Sequence, residues 1–248
     1  MVIHRVWQSI KNDAVFFAVF FSAFLLFRTT AFAMYHIPSE SMLPTLAVGD
    51  VVAVNKFAYG YSRHSVPFSL GPTVNTESGR VLYTQPRRGD IAVFHVDGKR
   101  EPFIKRIIGL PGDAVALVDG DIILNGVKLE RESQTTYNYL EHVGTIARVA
   151  SQTERLPSGN GQTIEHSILD RGQYAVDNFG PIEISEGQLF VMGDNRDNSL
   201  DSRYARPIGV GMISTEWLIG RADAVLVSGS AFRRALGYVH RTRWFSGL

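Results

Sequence analysis

Residues 89–110 read GDIAVFHVDGKREPFIKRIIGL. Two apolar runs flank Asp97-Gly98, a dipeptide suited to the positive φ angles of a tight hairpin turn. The stretch predicts two antiparallel strands. Residues 113–130, DAVALVDGDIILNGVKLE, repeat the pattern, with Asp119-Gly120 and Asn125-Gly126 as successive turns. Working outward, GDVVAVNKFAYG (49–60) precedes the hairpin, while GQLFVMGDNRDNSLDSRYARPIG (187–209) and WLIGRADAVLVS (217–228) follow it. Each holds an apolar run of strand length. Strands separated by turns point to a mostly β, antiparallel fold. Residues 61–88 read as loop. Residues 131–188 are polar and weakly patterned, and read as an insertion forming a smaller β lobe.

The chain has 248 residues, enough to bury a substantial core. Its net charge of +1 gives no general attraction to nucleic acid. Cysteine is absent, which excludes disulfides, thiolate metal sites and cysteine catalysis. Lysine is scarce, at Lys11, Lys56, Lys99, Lys105 and Lys128.

Residues 14–27, AVFFAVFFSAFLLF, are apolar apart from Ser22. Alone they would span roughly 21 Å as a helix, short of a hydrocarbon core about 30 Å thick. Extended to Met34 the run is long enough, so one transmembrane anchor is expected over 14–34. Arg5 and Lys11 precede it, which puts residues 1–13 in the cytoplasm and the bulk of the chain outside. A cleaved signal peptide is the rival reading, because Ala31-Phe32-Ala33 forms an A-x-A site. A buried helix of a soluble core is another. The tail FRRALGYVHRTRWFSGL (232–248) mixes arginine with aromatics and suits either a membrane-surface contact or a solvated end.

HIPSESMLPTL (36–46) places Ser39 and Ser41 between two prolines, just past that run. Such a stretch is either a linker or a nucleophile-bearing turn, and a serine nucleophile needs a base. None of the seven histidines sits in a recognisable catalytic motif. Lys105 is the other candidate. In a strand it shares a face with Phe103 and Ile107, where lost hydration would lower its pKa. Service as a base requires a fall from about 10.4 to roughly 8, or ~3 kcal/mol of differential stabilisation. A strand lysine that snorkels to water is the alternative. GDNRDNSLDSR (193–203) packs three Asp, two Asn, two Arg and two Ser behind an apolar strand. Such a cluster is either a solvated loop or a hydrogen-bonded network that orients a neighbour.

Three segments together resemble bacterial type I signal peptidases: PSESMLPTL (38–46), RGDIAVFHVDGKREPFIKRIIGLPGD (88–113) and GDNRDNSLDSR (193–203), in that order behind an N-terminal anchor. The resemblance implies a Ser/Lys dyad, with Ser41 as nucleophile and Lys105 as general base. It implies an oxyanion hole from the Ser41 backbone N–H and the Ser39 hydroxyl. Ser199 would hydrogen-bond and aim the Lys105 amine, and Asp201 and Arg203 would brace the loop as an ion pair. Ile37, Met42, Leu46, Phe103 and Ile104 would line shallow pockets for small residues, giving cleavage after A-x-A. The implied partners are signal peptides of exported preproteins and the lipid bilayer. No cofactor, metal or nucleic acid is expected. The implied location is the bacterial inner membrane, single-pass, with the catalytic part on the periplasmic side.

On this reading residues 35–113 and 189–230 form the catalytic β core, 114–188 the inserted lobe and 231–248 the tail. Many Gram-negative relatives have two transmembrane segments, whereas one is expected here. Glu40 stands where a small residue is often found. The alternatives are a specialised conjugation-type Ser/Lys peptidase and a non-catalytic, membrane-tethered peptide-binding β module.

Overall fold

The computed structural model describes residues 13–24, 30–66, 69–141, 144–158, 161–228 and 246–247. Four strands come first: β1 (Phe32–His36), β2 (Val51–Asn55), β3 (Ile91–Phe94) and β4 (Phe103–Gly109). Next are β5 (Ala114–Val118), β6 (Asp121–Leu124), β7 (Val127–Lys128), β8 (Arg131–Leu140), β9 (Ile146–Pro157), β10 (Thr163–Asp170) and β11 (Phe179–Glu183). The last are β12 (Gln188–Met192), β13 (Ile213–Ser214), β14 (Leu218–Val227) and β15 (Ser246–Gly247). The first and last groups share one sheet in the order β1-β2-β14-β3-β4-β12-β13, with β15 also against β14. The middle group forms a β10-β9-β8 sheet and a β11-β5-β6-β7 sheet. The mostly β, antiparallel architecture agrees with the sequence.

The two strands expected in 89–110 form and pair, but they are joined by the longer connection 95–102, in which Gly98 (φ 84°) and not Asp97 has a positive φ. β3 and β4 pair antiparallel, with Ala92 opposite Lys105 and Phe94 opposite Phe103. Asp119 and Gly120 have φ of 50° and 83°, and Asn125 and Gly126 have 53° and 79°. Two consecutive positive φ angles are what a tight two-residue hairpin turn demands, and Asn, Asp and Gly meet it at least strain.

β4 is buried from Ile104 to Gly109. Ile104 joins a cluster with Ile37, Met42, Leu46, Val93 and Ile219. Ile107 packs with Phe94, Leu189 and Trp217 in a second. Ile108 enters a third with Val115, Ile122, Leu156 and Phe190, which joins β4 and β12 to the middle strands. Each fully buried side chain of this size contributes about 1.5–3 kcal/mol. A lysine in the middle of such a strand has apolar packing on both sides.

The expected anchor over 14–34 needs correction at its far end. Residues 13–24 are helical, about 18 Å long. By Phe32 the chain has become a strand, with Met34 opposite Ala53 of β2. Its exposure alternates: Phe32, Met34 and His36 face outward while Ala33 and Tyr35 pack on the first cluster. That period of 2 is a strand's, and residues 32–34 therefore cannot lengthen the helix. Among the described residues no helix is long and apolar enough to cross a membrane. Residues 1–12 and 25–29, and all of the 231–248 tail except 246–247, lie outside the described residues.

Candidate active site

Ser41 sits in the turn between β1 and β2. Ile37, Met42 and Leu46, at 2%, 0% and 0% exposure, fix this turn to the first core cluster. The Leu46 N–H donates to the Met42 carbonyl at 2.8 Å, and Leu43 N–H to the Glu40 carbonyl at 3.0 Å. Three apolar anchors and two turn bonds hold the serine while its hydroxyl stays available.

Lys105 approaches from β4. Its Nζ lies 2.6 Å from Ser41 Oγ and 3.1 Å from the Ile104 carbonyl oxygen. The residue is 4% exposed. Burial pushes its pKa down to about 8, against the opposing charges of Asp201 and Asp194. Ser39 Oγ lies 3.3 Å from Ser41 Oγ, so both hydroxyls face one point. No histidine among the described residues hydrogen-bonds to Ser41.

The polar loop 193–203 is a network. Arg203 grips Asp201 through Nε at 2.9 Å and Nη2 at 3.0 Å, the ion pair expected there. Asp201 Oδ2 in turn accepts from the Gly193 N–H at 3.1 Å. Ser199 behaves differently from expectation. Its Oγ is buried and has no hydrogen-bond partner, so the bond expected to Lys105 is not formed here. It remains close by: a Cβ built on Gly193 would fall 2.3 Å from Ser199 Oγ and 2.5 Å from the Ser41 carbonyl oxygen.

The residues expected to line the substrate pockets lie in or against the core. Ile37, Met42, Leu46 and Ile104 are core members beneath the nucleophile turn. Phe103 packs against the second cluster, with its ring stacked on Phe94 at 6.0 Å.

Other residues of the site were not singled out from the sequence. Arg106 chelates Asp194 at 2.8 and 2.7 Å and donates to the Gly89 carbonyl at 2.9 Å. Thr45, from the nucleophile turn, also donates to Asp194. Burial works to raise the Asp194 carboxyl, but Arg106 outweighs it and holds the pKa below the usual range. Asn195 N–H donates to the Ser41 carbonyl at 3.1 Å, and its amide to the Glu40 carbonyl at 3.1 Å. The Glu40 carboxylate accepts from Asn198 at 3.2 Å. The available signal was position: Arg106 follows Lys105, and Gly193 to Asn198 open the polar loop.

Among the described residues, His64, His95 and Asp97 could be read as metal ligands, since their donor atoms lie within 4.8 Å of one another. Arg63 fills that role instead, donating to His64 Nε2 at 3.1 Å and to Asp97 at 3.1 Å. The two rings stack 5.0 Å apart and 8° from parallel, so their lone pairs do not converge.

Residues 8–227 match the family of signal peptidases, peptidase S26. The chain belongs to this family. It is 32% identical over 229 residues to a signal peptidase I of Rickettsia typhi, covering 89% of this chain and 81% of that one. A Rickettsia conorii signal peptidase I matches with the same identity and coverage. A crystal structure of a signal peptidase I from Enterococcus faecalis aligns with a TM-score of 0.32 and 25% identity, over 56% of this chain and 97% of that one.

Proposed function

We propose that the protein is a membrane-anchored serine endopeptidase that removes signal peptides from exported preproteins. The observation that carries the mechanism is the 2.6 Å contact between Lys105 Nζ and Ser41 Oγ at a buried site. A lysine with a pKa of about 8 is substantially neutral near that pH and can accept the hydroxyl proton. Ser41 Oγ then attacks the scissile carbonyl carbon. The Ser41 N–H and the Ser39 hydroxyl hold the oxyanion, donors typically worth several kcal/mol in such a site. Lys105 passes its proton to the leaving amine, which departs with the mature protein. It next takes a proton from water as the water oxygen attacks the acyl carbonyl; the ester bond to Ser41 Oγ breaks, Oγ takes the proton back from Lys105, and the signal peptide leaves with a free carboxyl end. Ser199 lies beside the dyad, and its unpaired hydroxyl is free to engage Lys105 once substrate arrives. Small residues at the A-x-A positions are expected to suit a turn whose apolar side chains are already packed.

The anchor reading rests on the helical residues 13–24. Val15, Phe16, Phe17, Val19, Phe20 and Phe21 are each more than half exposed, so apolar side chains face outward all round. A helix of that kind needs lipid or protein cover. Phe32 and Met34 of β1 are exposed as well, at 51% and 57%. The basic residues before it support a periplasmic side for 35–113 and 189–230, the proposed catalytic core. Residues 114–188 are assigned to the inserted lobe.

The test is cleavage of an A-x-A preprotein in detergent, with sequencing of the new N-terminus. Wild type should cut after the alanine, and Ser41→Ala and Lys105→Ala should not. Near-normal activity in Lys105→Ala would remove the dyad.

A further inference from the structure

The middle strands contribute one buried group that the reaction above leaves unused. Glu154, in β9, is 0% exposed. Its Oε1 accepts from Arg196 Nη1 at 2.8 Å and from Arg131 Nε at 3.0 Å. Oε2 accepts from Arg196 Nη2 at 2.5 Å, with His166 Nε2 3.4 Å away. The fork-on-fork geometry fixes direction as well as distance.

Arg196 belongs to the loop that holds the dyad. One residue before it, Asn195 N–H bonds the carbonyl of Ser41 itself. In the other direction, the Arg196 carbonyl accepts from Arg203, which grips Asp201. Asp201 is the carboxylate with the larger electrostatic effect on Lys105. Both halves of the dyad are thus reached from Arg196 through one intermediary residue or two. The neighbouring strand β10 and the residue after it add backbone ties on either side of Arg196: Leu169 N–H to the Asp194 carbonyl at 2.8 Å, and Arg171 N–H to Asp197 Oδ2 at 2.6 Å.

We infer that Glu154 is a positioning residue, which clamps Arg196 and thereby sets the placement of Ser41 against Lys105. The inference rests on the peptidase reading, and it gives the weakly patterned insertion a function: it carries the clamp. Glu154 touches neither reacting group, so its effect is expected in kcat rather than KM.

The experiment uses full-length protein in detergent, an A-x-A preprotein, and two variants. Glu154→Gln removes the charge at constant shape. The double variant Glu154→Met/Arg196→Met removes both charges of the fork together, and Arg131 keeps Asp121 and Asp170 at 3.5 and 3.7 Å. Each should lose at least tenfold in kcat with KM within twofold of wild type. The titration of Lys105 Nζ, followed by 15N NMR and assigned with Lys105→Arg, should shift in both without any substrate present. Arg131→Met, which leaves the Arg196 fork intact, should keep kcat within twofold. A folded double variant with wild-type kcat and an unmoved Lys105 titration overturns the inference. So does loss of fold in both variants, or a kcat loss that only tracks the melting temperature, since Glu154 would then be structural. If wild type itself cuts no preprotein, the peptidase reading fails, and the NMR titration alone decides the clamp.

Discussion

Lys105 and Ser41 stand 64 residues apart in the chain, yet Nζ and Oγ meet at 2.6 Å. The strand brings a cation into the core, and the turn brings a hydroxyl to it. Everything around the pair works on one quantity, the affinity of that amine for its proton.

The first prediction concerns pH. In the proposed mechanism the neutral amine is the working form, and burial lowers its pKa to about 8. kcat/KM should rise about tenfold per pH unit below that value and level off above it. A profile measured from pH 5 to 10 checks this. An acid limb centred near 6.5 would point to a histidine base instead.

A second prediction concerns stability. The Lys105 pKa falls from 10.5 to about 8 on folding. Above the higher value both states are neutral and folding carries no penalty. As pH falls through that window the unfolded chain takes up its proton first, so stability drops, and below about 8 the penalty is constant at roughly 3 kcal/mol. Lys105→Met removes the penalty and loses the bond to Ser41, worth about 1 kcal/mol. The inactive variant should therefore be more stable than wild type by ~1–2 kcal/mol at pH 7, with the gain vanishing above pH 10.5. Denaturant melts at the two pH values test both halves.

Gly193 permits a third. Any side chain there meets the Ser41 carbonyl at 2.5 Å, a backbone atom that cannot swing aside. Gly193→Ala should push the nucleophile turn outward, and a displacement near 1 Å costs on the order of 100-fold in rate. Single-turnover cleavage measures it. The same contact marks Ser199, whose buried hydroxyl is unpaired. Ser199→Ala should hold or raise the melting temperature, because an unsatisfied buried hydroxyl costs about 1–3 kcal/mol. Its kcat should still fall if the hydroxyl engages Lys105 when substrate is bound.

These features differ in how far the chain announces them. The turns at 119–120 and 125–126 were legible because Asp, Asn and Gly at positive φ are a local requirement, and the strands of 89–110 because each is an apolar run of strand length. Spacing made Lys105 a candidate base on a largely apolar strand face, and the resemblance decided between that and a lysine snorkelling to water. The burial of β4 on both sides comes from partners distant in sequence. The anchor's end was misjudged because Phe32-Ala33-Met34 is apolar at every position, so composition hides the alternation that pairing with β2 reveals. Glu154 gave no signal at all. A charge in a polar stretch looks solvated until Arg196, 42 residues on, covers it.

The last prediction returns to Arg106 and Asp194. Breaking a buried pair leaves one charge uncompensated, at about 3–5 kcal/mol. Asp194→Asn should lower stability by an amount in that range. It should also act on the dyad, since Asp194 raises the Lys105 pKa. Losing that carboxylate and leaving Arg106 unopposed both disfavour the protonated amine. The acid limb of kcat/KM should therefore move to lower pH, and the variant should keep a larger share of its plateau activity at pH 6 than wild type does. A purely structural pair would lower the plateau and leave the midpoint where it was, so the position of that limb separates the two roles.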